Sequence, residues 1–136
     1  MLINIDCDGV LLPNTHELSL FSKANSEDLS FNDTSPIWDW YDKLVKTKLD
    51  VNVRLVKYLY RLKDMGNHIR LWTNRSYTLK SSTLDNLDCC KSLFDSFEFY
   101  NGHKIHSQVE GIVIDNNIEY LKCGEFGIHY EWKEVI

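Results

Sequence analysis

The chain has 136 residues, 43% of them hydrophobic and 26% charged, which fits one globular domain with a real core and excludes a disordered tail, a collagen-like repeat and a disulfide miniprotein. No run approaches the roughly 20 apolar residues of a membrane helix, and the start Met1-Leu2-Ile3-Asn4-Ile5 lacks the basic leader and long apolar stretch of a signal peptide. The net charge of −5 is uneven: residues 43–80 carry ten Lys/Arg against two Asp/Glu, whereas the flanking stretches are strongly acidic, so the basic block either concentrates an anionic ligand or is the solvated face of a helix.

Leu2–Ile5 is a short apolar run stopped by Asp6-Cys7-Asp8-Gly9 and predicts a buried strand ending in a loop. Residues 13–36 are polar and contain Pro13 and Pro36; a short helix is expected near Glu17–Lys23, and another over Trp38–Lys48. Trp38, Trp40 and Tyr41 either line a pocket or pack. Asn52 is a candidate cap for a helix with an inner face of Leu55, Val56, Leu59 and Leu62 and an outer stripe of Arg54, Lys57, Arg61 and Asp64, stopped at Met65-Gly66-Asn67. His68–Trp72 predicts a second strand, followed by Thr73-Asn74-Arg75-Ser76. A helix over Leu79–Phe94, with Leu84, Leu87, Cys90 and Phe94 facing inward, leads to a strand at Phe97–Tyr100 and a turn at Asn101-Gly102. Gly111–Ile114 predicts another strand, ending in Asp115; a short helix at Ile118–Cys123 and a last strand at Gly127–Trp132 complete the chain. Strands alternating with helices predict one α/β domain over residues 1–136 with a largely parallel sheet.

Without an export signal, Cys7, Cys89, Cys90 and Cys123 are expected as reduced thiols in the cytoplasm. Cys123 with His103 and His106 matches no common zinc spacing.

Parallel sheets present ligands at the carboxyl ends of their strands. Three apolar strands here end in Asp6-x-Asp8, in Thr73-Asn74 and in Asp115-Asn116-Asn117. Side by side, they would converge on one crevice. Acids brought together there need protons or a cation. An all-oxygen cluster suits Mg²⁺, with Asp6 and Asp115 the natural ligands. A carboxylate can also be a nucleophile, a second acid can move a proton, and a hydroxyl with a lysine can hold phosphoryl oxygens. Taken singly, each segment also reads as an ordinary turn or helix cap.

In these residues the chain resembles the haloacid dehalogenase (HAD) superfamily of phosphohydrolases. The first motif of that family matches Ile3-Asn4-Ile5-Asp6-Cys7-Asp8-Gly9-Val10-Leu11-Leu12, the second Ile69-Arg70-Leu71-Trp72-Thr73-Asn74-Arg75 and the fourth Gly111-Ile112-Val113-Ile114-Asp115-Asn116. The resemblance covers residues 2 to about 121. It implies a three-layer αβα Rossmann-like fold with a central, mainly parallel sheet. It also implies a Mg²⁺-dependent phosphatase that hydrolyses a phosphate monoester through a phosphoaspartate. By position, Asp6 looks like the nucleophile, and Asp8 like the general acid/base whose carbonyl also reaches the metal. Thr73 looks like the phosphate-binding hydroxyl with the Asn74 backbone beside it, Lys104 like the third-motif lysine, and Asp115 like the metal-binding acid; Asp6, Asp8 and Asp115 would then hold Mg²⁺.

Two departures stand out. Asn116 replaces the second acid of the fourth motif, so either it or Glu119 would orient a metal-bound water, and no proline follows the third-motif lysine. Only 41 residues separate Thr73 from Asp115, too few for a large cap domain, which leaves residues 13–48 as a flap or mini-cap. An open site of this kind admits a bulky phosphorylated substrate, such as a nucleotide or a nucleic-acid end, or needs a partner or second copy to cover it. The alternative is a HAD-like binding or regulatory module with weakened catalysis.

Overall fold

The computed structural model of the chain describes residues 1–13 and 49–132. The flap expected over 13–48, apart from Pro13, and the helices expected at Glu17–Lys23 and Trp38–Lys48 lie outside the described residues, as does the aromatic group Trp38, Trp40 and Tyr41. Five strands, β1 (Leu2–Ile5), β2 (His68–Thr73), β3 (Ser96–Phe99), β4 (Ile112–Asp115) and β5 (Phe126–His129), form one sheet in the order β3-β2-β1-β4-β5. Every pairing is parallel. The α/β class with a parallel sheet is therefore as expected.

Strand alternation sends side chains to two faces. Ile3 and Ile5 of β1, Ile69 and Leu71 of β2 and Ile114 of β4 share the larger core. Helix α1 (Val53–Asp64) covers this face with Leu55, Val56 and Leu59, each buried side chain contributing roughly 1.5–3 kcal/mol. Leu62, expected inward with them, is half-buried and packs against the same cluster. On the opposite face, Trp72 and Val113 pack with Cys123, Tyr120 and Leu121, the last two from the short helix α3 (Ile118–Leu121). Among the described residues the sheet thus lies between two covering layers, the second much the thinner. No helix among the described residues is long and apolar enough to cross a membrane.

Asn52 caps α1 as expected: its Oδ1 accepts from Leu55 N–H at 3.2 Å, and its Nδ2 donates to Val10 O and to the Tyr130 hydroxyl. The single helix expected over Leu79–Phe94 is corrected. Helix α2 spans only Lys80–Asn86, and Asp88–Leu93 is a 3₁₀ segment with Cys90 at a non-helical φ of −133°. The reason is local. Asp and Cys are poor helix formers, the Asn86 side chain turns out of the helix to accept from Leu49 N–H, and apolar spacings of three are met as well by a 3₁₀ turn. The break leaves Leu84 half-buried, while Leu87, Cys90, Leu93 and Phe94 join the core. Strand β3 begins one residue earlier than expected, and β5 runs Phe126–His129 rather than to Trp132.

Candidate functional site

The order β3-β2-β1-β4-β5 makes β1 the strand from which the chain winds outward in both directions. The crevice beyond its carboxyl end, between β1 and β4, is the topological switch point where such sheets bind ligands. Asp6 follows β1 directly, and its N–H bonds Ile114 O of β4 at 2.9 Å. Asp115 ends β4 and Thr73 ends β2. The chain then coils tightly: the amides of Val10, Leu11 and Leu12 all point at Cys7 O. Gly9 makes this possible with a φ of +84°, which glycine adopts without a side-chain clash.

Lys104 enters from the loop after β3. That loop is stitched to the one after β2: Tyr100 N–H bonds Thr73 O, Gly102 N–H bonds Asn74 O, and Lys104 N–H bonds Asn74 Oδ1 at 3.0 Å. A 3₁₀ turn (Lys104–His106) then aims the lysine inward. Its Nζ donates to Asp6 Oδ1 at 3.0 Å, to Asp115 Oδ2 at 2.6 Å and to Trp72 O at 3.2 Å. It also lies 4.3 Å from the Trp72 ring centroid and 4.6 Å from that of Tyr120. Three acceptors match the three protons of an ammonium, so contact with an incoming anion would require one of these bonds to be exchanged. Asp6, Asp115 and Lys104 are all buried.

Two carboxyl groups therefore share one ammonium in a buried site, where ionising both would leave negative charge in excess. Burial and then the Asp115 charge hold Asp6 well above the ordinary aspartate range, which Lys104 only partly offsets. Burial alone would lower the Lys104 ammonium, but Asp6 and Asp115 outweigh it and hold it above the ordinary lysine value. Cys7, between the two first-motif acids, is buried, and that burial pushes its thiol far up, so it is no candidate nucleophile.

The remaining expected residues fall around this centre. Thr73 is buried, and its Oγ1 accepts from Arg75 N–H at 3.1 Å. The Asn74 side chain is engaged by Lys104 N–H and donates to the Tyr120 hydroxyl at 2.6 Å, so it braces the lysine loop. Asp8 is partly exposed and forms an ion pair with Arg75 at 2.6 Å. Of the two candidates for a second fourth-motif group, the structure brings in Asn116. With its amide oriented to satisfy its neighbours, Nδ2 donates to Asp6 Oδ2 at 2.8 Å, Asp115 Oδ1 at 3.1 Å and Asp8 O at 3.3 Å. Glu119 instead lies exposed on α3, 4.0 Å from Lys122.

Three oxygens thus converge on the Asn116 amide, two from carboxylates and one from a backbone carbonyl, and a cation taken by this set would displace that amide. This is a hard-oxygen set of the kind Mg²⁺ takes. Among the described residues no group of three His, Cys, Asp or Glu side chains is placed to hold a metal ion.

Sequence reasoning missed Arg75 and Tyr120. Arg75 lay inside the quoted second motif without a role, and Tyr120 carried no signal beyond its place in a predicted helix.

No family model, curated protein or solved structure matches the chain.

Proposed function

We propose that the chain is a divalent-cation-dependent phosphohydrolase of the HAD-like type that cleaves phosphate monoesters through an aspartyl phosphate. The observation that carries this reading is the meeting of Asp6, Asp115 and Lys104 within 3.0 Å at the switch point of a parallel sheet, with Thr73 ending the neighbouring strand.

In this reading an Asp6 oxygen attacks phosphorus in line and the ester P–O bond breaks, while Asp8, having first taken up a proton from solvent, passes it to the departing alkoxide. Water then attacks the phosphorus of the phosphoaspartate, Asp8 takes the water's proton, and the bond to Asp6 breaks to release phosphate. The Thr73 hydroxyl donates to a phosphoryl oxygen. Lys104 holds Asp6 in place and opposes the charge of Asp115. Asp6, Asp115 and the Asp8 carbonyl would hold Mg²⁺, which when bound supplies positive charge against the phosphoryl oxygens. With Asp6 ionised for attack, the buried cluster would carry excess negative charge, which a cation there would offset.

Purified protein with Mg²⁺ is expected to hydrolyse an aryl phosphate, and Asp6→Asn to abolish turnover. An active Asp6→Asn enzyme, or no turnover across aryl, alkyl and nucleotide monophosphates, would refute the assignment. A second reading, a binding module with little catalysis, draws support from Asn116, whose amide protons already face all three converging oxygens. It predicts phosphate binding in calorimetry without turnover and with little response to Mg²⁺.

A further inference from the structure

Arg75 lies two residues past Thr73, on the loop leaving β2, and is buried. Its Nε donates to Asp8 Oδ2 at 2.9 Å and its Nη2 to Asp8 Oδ1 at 2.6 Å. The third nitrogen, Nη1, reaches Thr83 Oγ1 on α2 at 2.9 Å, and that hydroxyl donates to Leu79 O at 2.7 Å. The Arg75 N–H bonds Thr73 Oγ1. A planar fork held at both ends fixes the plane of a carboxylate as well as its position, which a lysine ammonium cannot do. Asp8 lies within the tightly coiled loop and is partly exposed, and among the described residues Arg75 is the side chain that grips its carboxylate at two points.

We propose that Arg75 is the positioning residue of Asp8: with Thr83 as its anchor on α2, it sets the orientation from which Asp8 exchanges a proton with the leaving oxygen. The inference rests on the phosphohydrolase reading and adds to it a residue that acts through Asp8. It has a signature that a purely structural salt bridge lacks. A nitrophenolate departs with little protonic help, whereas an alkoxide needs the proton as its bond to phosphorus breaks. Misplacing Asp8 should therefore penalise alkyl esters far more than aryl esters.

The test compares kcat/KM for p-nitrophenyl phosphate and for a simple alkyl phosphate in the full chain with Mg²⁺, with thermal melts to verify folding. Arg75→Gln is expected to lower kcat/KM for the alkyl ester about 100-fold, the scale of one positioned acid–base group. The aryl-to-alkyl ratio should rise at least tenfold. Arg75→Lys keeps the charge and loses the fork; it is expected to keep the raised ratio, and a return to the wild-type ratio would overturn the two-point argument. Equal losses on both esters, or no loss on either, would reduce Arg75 to a structural residue. Should the Arg75 variants fail to fold, Thr83→Val leaves both Asp8 bonds in place but removes the anchor. There the ratio is expected to rise severalfold, and an unchanged ratio overturns the proposal. Wild-type protein inert towards both esters would instead refute the phosphohydrolase reading, and this inference with it.

Discussion

Asp6, Asp115 and Lys104 form a buried triad whose charges do not cancel, and the imbalance makes a prediction for stability as well as for chemistry. Asp6 is held above the ordinary aspartate range by burial first and by Asp115 second. A carboxyl group raised in this way binds its proton more tightly in the folded than in the unfolded chain. Its favourable contribution is complete below the unfolded value of about 4 and is lost as pH rises through the folded value. Without divalent cations, Asp6→Asn is therefore expected to be more stable than the wild type at pH 7, with the difference vanishing below about pH 4. Urea unfolding of both proteins across that range would check it; a constant difference would contradict it. At this scale the sequence was informative where chemistry announces itself. Asp6, Thr73 and Asp115 each stop an apolar run, Asp8 follows two residues after the first of them, and Lys104 was singled out by its place before the fourth-motif strand. Arg75 was silent because an arginine just past a strand reads as solvated charge, and only the fold shows it buried against Asp8. Asn116 looked like a loss, yet its amide faces all three converging oxygens.

Elements were legible wherever a stop signal was strong. Strands β1, β2 and β4 and the capped helix α1 lie close to their expected bounds, because apolar runs and the Asn52 and Met65-Gly66-Asn67 signals leave few alternatives. The stretch from Leu79 to Phe94 was misjudged because its apolar spacing is shared by α and 3₁₀ geometry. Strand β4 depends on one backbone position before it. Gly111 has a φ of +80°, and a Cβ there would run into the carbonyl of Leu2. Its own carbonyl accepts from Glu125 and Phe126 N–H, which lead into β5. Gly111→Ala is expected to cost roughly 1–3 kcal/mol, the range for an enforced unfavourable backbone conformation. The carbonyl clash places it towards the upper end. A denaturation midpoint equal to that of the wild type would show that the backbone relaxes freely.

On the scale of the whole molecule, the α/β class was legible from alternation alone, while the order β3-β2-β1-β4-β5 was not, since no local pattern records which strands become neighbours. That order brings residues 98 positions apart, Asp6 and Lys104, into contact. A ligand bridging β1, β2 and β4 should therefore stabilise the entire fold. Saturation at about 100 times the dissociation constant is worth about 2.7 kcal/mol. Mg²⁺ with orthovanadate is expected to raise the melting temperature of the wild type by several degrees and to leave Asp115→Asn unmoved; an equal rise in both would place the ligand elsewhere.

The parallel ladders carry one more consequence, for the route by which the chain folds. Leu2–Ile5 sits in the middle of the sheet, and its neighbours are His68–Leu71 on one side and Ile112–Ile114 on the other. No hairpin can nucleate such an arrangement, and loop closure over long separations makes folding slow. Strand β1 is synthesised well before the strands on either side of it, so the crevice cannot form until Ile112–Asp115 has been made.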